Sequence, residues 1–209
     1  MTTHDLIAAE LLDLGAATLG ETGGKPMRAR LRAAWPGAAL AAPALPVVCT
    51  AGDNLAVHVA VANAPANVAL VVSVGDQPEL GYWGEVLTIA AQSRGVSGLV
   101  IDGCVRDVAR LEHHRFPVFS VGIALPGATK NRAGSVGSVA SVGDVDVHKG
   151  DWIVGDRDGV TVVPVDTLQQ VIDAGRARTA KEDGFFAALR AGRTTVELLD
   201  LDPSPITLA

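Results

Sequence analysis

Two short segments between residues 81 and 111 carry the side chains best suited to chemistry. One is the turn that begins at Gly84-Glu85, and the other is the dipeptide Arg106-Asp107. Backbone N–H groups at the start of a helix bind carboxylate or phosphate, and the helix dipole adds to that attraction. An arginine grips a carboxylate with two parallel hydrogen bonds, and an aspartate offers a hard oxygen ligand to Mg²⁺ or Mn²⁺. These are the residue types that a site for a small anion and a divalent cation requires.

Each of these residues also has an ordinary structural explanation. Glu85 is placed to stabilise the first turn of a helix, and Asp107 is placed to cap one. Arg106 is equally suited to a surface ion pair, which contributes little to stability. The residue types and their spacing alone leave both interpretations open.

The elements that must position these residues follow from the apolar pattern. Helical spacing predicts helices over 4–19, 53–62, 85–94, 108–114, 166–190 (with an interruption at Gly175 or Gly184) and 194–201. Apolar runs predict strands over 47–49, 68–74, 98–101 and 117–121, with short strands from 135 onwards that include 152–154 and 160–163. Residues 20–46 are expected to be loop, and 81–84 a turn. Strands separated by helices favour an α/β fold with a parallel or mixed sheet, and we expect residues 1–209 to form a single domain.

The overall composition narrows the classes of function. The formal net charge of -6 and the pI near 5.3 give no electrostatic reason to bind nucleic acid or an anionic membrane. The two cysteines, Cys49 and Cys104, are too few for a disulfide framework and lack the spacing of metal ligands. The N-terminus lacks the features of a signal peptide, and no segment approaches the ~20 apolar residues of a transmembrane helix. We therefore expect a cytoplasmic protein.

Several segments together resemble the RraA-like family, which includes the 4-hydroxy-4-methyl-2-oxoglutarate aldolases. Members carry an acidic residue, twenty intervening residues and then Arg-Asp, and Glu85 with Arg106-Asp107 matches that pattern. The resemblance continues over most of the chain, through WPGAAL (35–40), AGDNLAVHVAV (51–61), FPVFSVG (116–122) and GDWIVGDRDGVTVVP (150–164).

The resemblance implies a swivelling β/β/α domain with N- and C-terminal helices, assembled as a homotrimer or a dimer of trimers. It also implies a metal-dependent lyase, an aldolase or oxaloacetate decarboxylase, that releases pyruvate from a small 2-oxo acid with a second carboxylate. By this similarity Asp107 would bind Mg²⁺ or Mn²⁺, and Arg106 would hold the substrate carboxylate or oxo oxygen. The turn formed by Gly84, Glu85, Val86 and Leu87 would donate backbone N–H groups to a carboxylate, with the Glu85 side chain hydrogen-bonded to metal-bound water.

Glu182 resembles a position from which aldolase members send a carboxylate into the site of a neighbouring subunit. If Glu182 does the same, the site lies at a subunit interface. The alternative is that Glu182 lies on a solvated helix face, where charged residues are normal.

One residue departs from the aldolase pattern. Those members carry Asp or Glu three positions after the metal-binding aspartate, where this chain has Arg110. Loss of this acid is expected to disfavour aldol cleavage. Oxaloacetate decarboxylation passes through the same enolate, and the decarboxylase pattern of the family does not require the acid. A rival function is that of RraA itself, a non-catalytic inhibitor of ribonuclease E; the joint presence of Glu85, Arg106 and Asp107 favours an enzyme.

The remaining reactive residues have simpler explanations. His113 and His114 are adjacent on a helix and so point in different directions, which predicts an exposed helix end rather than a metal site. Cys104 has no identifiable base nearby, which argues against a nucleophile. Residues 124–136 are a candidate for shaping specificity.

Overall fold

Strands and helices alternate along most of the chain in the computed structural model, which describes residues 2–207. The helices are α1 (Thr3–Glu21), α2 (Leu55–Asn63), α3 (Glu85–Ser93), α4 (Val108–His113), α5 (Leu168–Arg190) and α6 (Thr195–Leu198). The strands are β1 (Lys25–Pro26), β2 (Arg32–Ala33), β3 (Leu40–Cys49), β4 (Ala69–Ser73), β5 (Gly81–Trp83), β6 (Gly98–Ile101), β7 (Cys104–Val105), β8 (Val118–Ser120), β9 (Gly122–Ile123), β10 (Gly134–Val136), β11 (Ala140–Val142), β12 (Val145–Val147), β13 (Trp152–Gly155) and β14 (Val160–Val163).

The largest sheet is mixed, with the strand order β1-β14-β13-β3-β4-β6-β8-β2. Its central strands β3, β4, β6 and β8 are parallel, and the helices α2, α3 and α4 lie in the connections between them. The strands β13, β14 and β1 extend the sheet antiparallel on one side, while β2 pairs with β8 and β10 with β3. The α/β class expected from the alternation of elements is confirmed.

A second, three-stranded parallel sheet positions the residues of interest. It consists of β5, β7 and β9, which follow β4, β6 and β8 respectively along the chain. The chain therefore passes through a strand of each sheet before it enters α3 and again before it enters α4. Because Trp83 pairs with Val105 across β5 and β7, the residues that follow these two strands lie side by side. The unit β4-β5-α3 is followed by the similar unit β6-β7-α4, and Glu85 and Arg106 follow the second strand of each unit.

The core is built from aliphatic side chains on both faces of the large sheet. Leu70, Val72, Leu99 and Ile101 belong to one cluster with apolar residues of α2 and α3, and the hairpin β11–β12 packs on the opposite face. The helices α1 and α5 form a third cluster with β13 and β14. Within residues 2–207, no helix combines the length and the apolar character needed to cross a membrane.

The structure corrects the prediction that residues 20–46 are all loop. Short strands form at 25–26 and 32–33, and β3 begins at Leu40 rather than at residue 47. The prolines in this segment suggested loop, but Pro43 and Pro46 each lie where β3 pairs on one side only: with β13 at 43 and with β4 at 46. Proline is tolerated in a strand where its missing N–H is not needed by a neighbour.

Two further predictions are corrected. The segment 81–84 is not simply a turn, because Gly81–Trp83 forms β5 with Tyr82 and Trp83 buried. The C-terminal helix is not interrupted at either glycine, since α5 runs continuously to Arg190. Gly175 instead allows close packing against α1, because a Cβ there would lie 3.0 Å from Leu14 Cδ1.

Candidate active site

Arg106 and Asp107 lie at the carboxyl end of the small parallel sheet, where β7 passes into α4. The Arg106 N–H donates to the Trp83 carbonyl oxygen at 2.8 Å, which continues the pairing of β5 and β7. Asp107 has a left-handed backbone with φ 58°, a conformation that aspartate adopts more readily than most residues. Its Oδ2 accepts a hydrogen bond of 3.1 Å from the Glu85 N–H, the first of α3. Asp107 therefore connects the starts of two helices.

Two glycines make room for this pair of side chains. A Cβ at Gly84 would overlap Asp107 Oδ2, and a Cβ at Gly81 would lie 2.7 Å from the Ala124 carbonyl oxygen and 3.0 Å from Arg106 Cδ. Real Cβ atoms do not approach that closely. Glycine is therefore required at both positions so that β5 can pass beneath the charged side chains.

A cavity of about 190 Å³ opens beside these residues. Its wall is formed by Asn54, His58, Gly81, Tyr82, Trp83, Gly84, Val86, Leu87, Arg106, Asp107, Gly127, Ala128 and Lys130. The side chains of Arg106 and Asp107 are 45% and 42% exposed, so both are accessible from solvent. No hydrogen bond between residues 2–207 uses the N–H of Val86, the N–H of Leu87 or Asp107 Oδ1. The predicted Gly84–Leu87 turn and Arg106-Asp107 therefore do meet at one cavity, with donors and an acceptor unused.

Sequence reasoning missed eight residues of this cavity, three of which carry amide, imidazole or ammonium groups: Asn54, His58 and Lys130. Asn54 is buried, and its Nδ2 donates to the Tyr82 carbonyl oxygen at 2.8 Å, whereas its Oδ1 has no partner within the part of the chain that the structure describes. Burial, together with the positive charge of Lys130, lowers the pKa of His58. Lys130 belongs to the segment 124–136, which the sequence marks only as a candidate for specificity.

The loop that carries Lys130 is fixed by the buried side chain of Asp53. Asp53 Oδ2 accepts hydrogen bonds from the Asn131 N–H at 2.6 Å, the Thr129 hydroxyl at 2.8 Å and the Arg132 N–H at 3.1 Å. Its Oδ1 accepts from the Leu55 N–H at 2.8 Å, at the start of α2. Burial raises the pKa of Asp53, but these hydrogen bonds outweigh it and lower the pKa to about 2.

The Glu85 side chain points towards α4 and is not part of the cavity wall. Glu85 Oε1 lies 3.0 Å from His114 Nε2, and Oε2 lies 3.9 Å from Arg110 Nε. The prediction that His113-His114 is merely an exposed helix end is therefore wrong for His114, whose side chain is only 24% exposed. The sequence signal that was available is the spacing of Arg110 and His114, which places both on one side of a helix.

Glu182 does not join this site within its own chain. It lies on α5, where its Oε1 is 2.9 Å from Arg178 Nη2, and Arg178 also contacts Glu21 of α1. This is the arrangement of a partly solvated ion-pair network between two helices.

Comparison with known proteins identifies the family to which this chain belongs. The model of the RraA-like family, described as Aldolase/RraA, matches residues 8–162. The chain belongs to the RraA-like family.

Individual relatives agree with this assignment. A protein of Halalkalibacterium halodurans, named "Putative 4-hydroxy-4-methyl-2-oxoglutarate aldolase", is 32% identical over 70% of this chain and 70% of its own length. A crystal structure of an uncharacterized Pseudomonas syringae protein superposes with a TM-score of 0.78 at 24% identity, covering 93% of this chain and 92% of that one. The RNA-processing inhibitor RraA from Thermus thermophilus superposes with a TM-score of 0.65 at 22% identity, covering 71% and 92%. The two structures establish the fold, and the sequence relative places the chain in a family that includes lyases.

The residues of this RraA-like site fit a hydrated divalent cation. No group of three or more His, Cys, Asp or Glu side chains within residues 2–207 is arranged to hold a metal. Mg²⁺, however, commonly binds through one or two carboxylates and keeps several water ligands, with further oxygens from the substrate. Asp107 supplies one exposed carboxylate beside a cavity, which is the donor set that such binding needs.

A larger cavity elsewhere lacks the combination of an arginine, a carboxylate and free backbone N–H groups at the start of a helix. It has a volume of about 590 Å³ and is lined by residues 32–39 with Asp156 and Arg157. Arg32 in its wall already donates to the Asp158 carbonyl oxygen. No helix begins at this cavity, so it offers no equivalent set of free backbone donors. The cavity at Arg106 and Asp107 combines an arginine, a carboxylate and backbone donors at a helix start, and it is the candidate active site.

Proposed function

We propose that this RraA-like protein is a divalent-metal-dependent lyase that releases pyruvate from a small 2-oxo acid with a second carboxylate. The observation that carries the proposal is the meeting of Arg106, Asp107 and the free N–H groups of α3 at one cavity. These groups are complementary to a carboxylate next to an oxo group. The sequence relative named as an aldolase supports the lyase class.

Asp107 and Arg106 would act on the oxo-acid end of the substrate. Asp107 would hold Mg²⁺ or Mn²⁺, and the cation would supply Lewis-acid stabilisation of negative charge on the oxo oxygen. The Arg106 guanidinium would bind the carboxylate or the oxo oxygen, and the N–H groups of Val86 and Leu87 would donate to the carboxylate. Cleavage of the C3–C4 bond leaves its electron pair on C3, next to the oxo carbon, as the enolate of pyruvate. Positive groups fixed around the oxo oxygen would therefore lower the barrier.

Lys130 would bind the second carboxylate. It stands in the cavity wall on the loop that Asp53 fixes, so its position does not depend on the substrate. The cavity thus has two cationic side chains, Arg106 and Lys130, for a substrate with two carboxylates. Contact of the Glu85 carboxylate with metal-bound water, which the family resemblance implies, stays a prediction.

We also propose that the protein assembles as a homotrimer or a dimer of trimers, with the site at a subunit contact. Large apolar side chains are exposed next to the cavity: Val86 is 79% exposed and Leu125 is 80% exposed. Covering these side chains by a second copy would remove apolar surface from water. Glu182 of a neighbouring copy would then reach the site.

The experiment that tests the function is pyruvate release from oxaloacetate and from 4-hydroxy-4-methyl-2-oxoglutarate, with Mg²⁺, with Mn²⁺ and with EDTA. We expect metal-dependent release well above that of a blank containing the metal alone, and a loss of at least about 100-fold in kcat/KM for Arg106→Ala. Release indistinguishable from the blank with both substrates would reject the proposal, and binding to ribonuclease E would then be the activity to test.

A further inference from the structure

His114 joins the first residue of α3 to the far end of α4. Arg110 and His114 are four residues apart and lie on the same side of α4, whose N-cap is Asp107. The Glu85 carboxylate faces this side of the helix, with His114 Nε2 at 3.0 Å from Oε1 and Arg110 Nε at 3.9 Å from Oε2. The 3.0 Å separation is within hydrogen-bond distance, and the imidazole donates to the carboxylate when its proton is on Nε2.

The contact with His114 is the stronger of the two. The side chains of His114 and Glu85 are 24% and 35% exposed, whereas that of Arg110 is 64% exposed and its Nε lies beyond hydrogen-bond distance. Interactions between partly shielded groups are less weakened by solvent than those at the surface. The backbone of His114 is fixed as well, because its carbonyl oxygen accepts from Gln92 Nε2 at 2.9 Å, near the end of α3.

Glu85 transmits this contact to Asp107. Its side chain is held by His114, while its backbone N–H donates to Asp107 Oδ2. The next N–H groups of α3, those of Val86 and Leu87, are the proposed donors to the substrate carboxylate. Fixing the Glu85 side chain therefore fixes the first turn of α3, on which both the metal-binding carboxylate and the substrate depend.

We propose that His114 is a positioning residue for the cation site: through Glu85 it fixes the first turn of α3 and thereby the orientation of the Asp107 carboxylate. This inference rests on the proposed function, since it takes Asp107 as the metal ligand. His114 itself contacts neither the cation nor the substrate. Residues that orient a metal ligand typically change metal affinity by about 10- to 100-fold when they are replaced.

Three substitutions separate the hydrogen bond from the volume of the side chain. His114→Gln places an amide nitrogen close to the position of Nε2 and keeps the donor. His114→Leu removes the donor and keeps much of the volume, and His114→Asn is polar but too short to reach Glu85. His113→Leu is the matched control, because His113 is exposed and its ring lies against His114 rather than Glu85.

The first measurement is hydrogen–deuterium exchange of the metal-free protein, followed for the backbone amides of Glu85 and Thr88, which donate to Asp107 Oδ2 and to the Gly84 carbonyl oxygen. We expect exchange to be several-fold faster in His114→Leu and His114→Asn, and unchanged in His114→Gln and His113→Leu. In a Glu85→Gln background, His114→Leu should add much less than it does alone. If His114→Asn, or a folded His114→Leu, exchanges like the wild type, the proposal is overturned.

The second measurement is Mn²⁺ affinity from electron paramagnetic resonance, without substrate. We expect about 10-fold weaker binding in His114→Leu and His114→Asn, with His114→Gln within about twofold of the wild type. Faster exchange at Glu85 and Thr88 with unchanged Mn²⁺ affinity would contradict the link to Asp107. A wild type that binds no Mn²⁺ would remove the metal role of Asp107, and the proposal with it, whatever the exchange shows. Wild-type Mn²⁺ binding without pyruvate release would count against the proposed reaction alone.

Discussion

Asp107 has a structural role in the fold and a proposed role as the metal ligand. Its Oδ2 caps the start of α3 through the Glu85 N–H, while Oδ1 has no partner within residues 2–207. The backbone at this position is left-handed, which asparagine tolerates nearly as well as aspartate. A change from Asp to Asn therefore separates the charge of the side chain from its structural role.

We predict that Asp107→Asn abolishes metal-dependent pyruvate release, with a loss of about 100-fold or more in kcat/KM, because a neutral amide is a poor ligand for Mg²⁺. The amide oxygen can still accept from Glu85, so the melting temperature should stay close to that of the wild type. The measurements are pyruvate release with and without EDTA, and thermal unfolding. Retained metal-dependent turnover would show that Asp107 does not bind the cation.

Arg110 sets the charge around Glu85. Its Nε lies 3.9 Å from Glu85 Oε2. The family resemblance implies an acidic residue at this position in the aldolase members. We predict that Arg110→Glu raises aldol cleavage relative to oxaloacetate decarboxylation, because it restores the acidic group beside the site. The ratio of kcat/KM for the two substrates measures the effect, with Arg110→Gln as the control for loss of the cation alone. An unchanged ratio in Arg110→Glu would mean that this position does not limit aldol cleavage.

At the scale of the elements, the site depends on the parallel pairing of β5 with β7. That pairing brings together the starts of α3 and α4, which belong to successive β-β-α units, and it was not predictable because β5 is a three-residue strand that starts at a glycine. The strands at 98–101 and 160–163 were predictable, since each is a continuous apolar or β-branched run without glycine or proline after its first residue. Runs of apolar residues therefore predicted these strands correctly, whereas the glycine at the start of β5 and the prolines in β3 led to predictions of turn or loop.

The cavity residues outside the segment 81–107 were not predictable for a different reason. His58 and Lys130 come from α2 and from the loop after β9, which are distant in sequence. They meet because Asp53 pairs with Thr129 in an isolated parallel bridge and binds the same loop through its carboxylate. Neither contact follows from a local pattern. The predictable part of the site is therefore the part carried by one contiguous segment.

Asp53 should make this loop sensitive to acid. Its pKa is about 2 in the folded protein against an ordinary value of 3.8, so its ionised form is favoured by folding. The stabilisation is present in full above pH 3.8 and is lost as the pH falls towards 2. We predict that Asp53→Asn lowers the melting temperature at pH 6 and flattens its dependence on pH between about 4 and 2. Thermal unfolding across this range is the measurement, and parallel curves for the variant and the wild type would contradict the prediction.

At the scale of the whole molecule, net charge and local charge differ in sign. The chain carries a net charge of -6, yet the cavity wall carries two positive side chains, those of Arg106 and Lys130, and one carboxylate, that of Asp107. A local positive field concentrates a small dianion at the site even on an acidic protein. The composition alone would not have indicated an anionic substrate, because it averages over the surface.

The proposed assembly predicts active sites that are each formed by residues of two subunits, and this can be tested by mixing inactive variants. If a site combines Asp107 of one subunit with Glu182 of the next, then Asp107→Asn and Glu182→Gln are each inactive but complement one another. We predict that subunits of the two variants, dissociated, mixed in equal amounts and reassembled, recover about a quarter of the wild-type activity, since that share of random contacts pairs two intact residues.

The control for this complementation is the reassembly of each variant alone, which should stay inactive. The mass of the assembled particle, measured by light scattering, distinguishes three subunits from six. If Glu182 served only the ion pair with Arg178 on its own helix, Glu182→Gln would be active by itself, and mixing would raise activity only in proportion to its share. That result would remove Glu182 from the site while leaving the roles of Arg106 and Asp107 intact, because the cavity contains both without any contribution from α5.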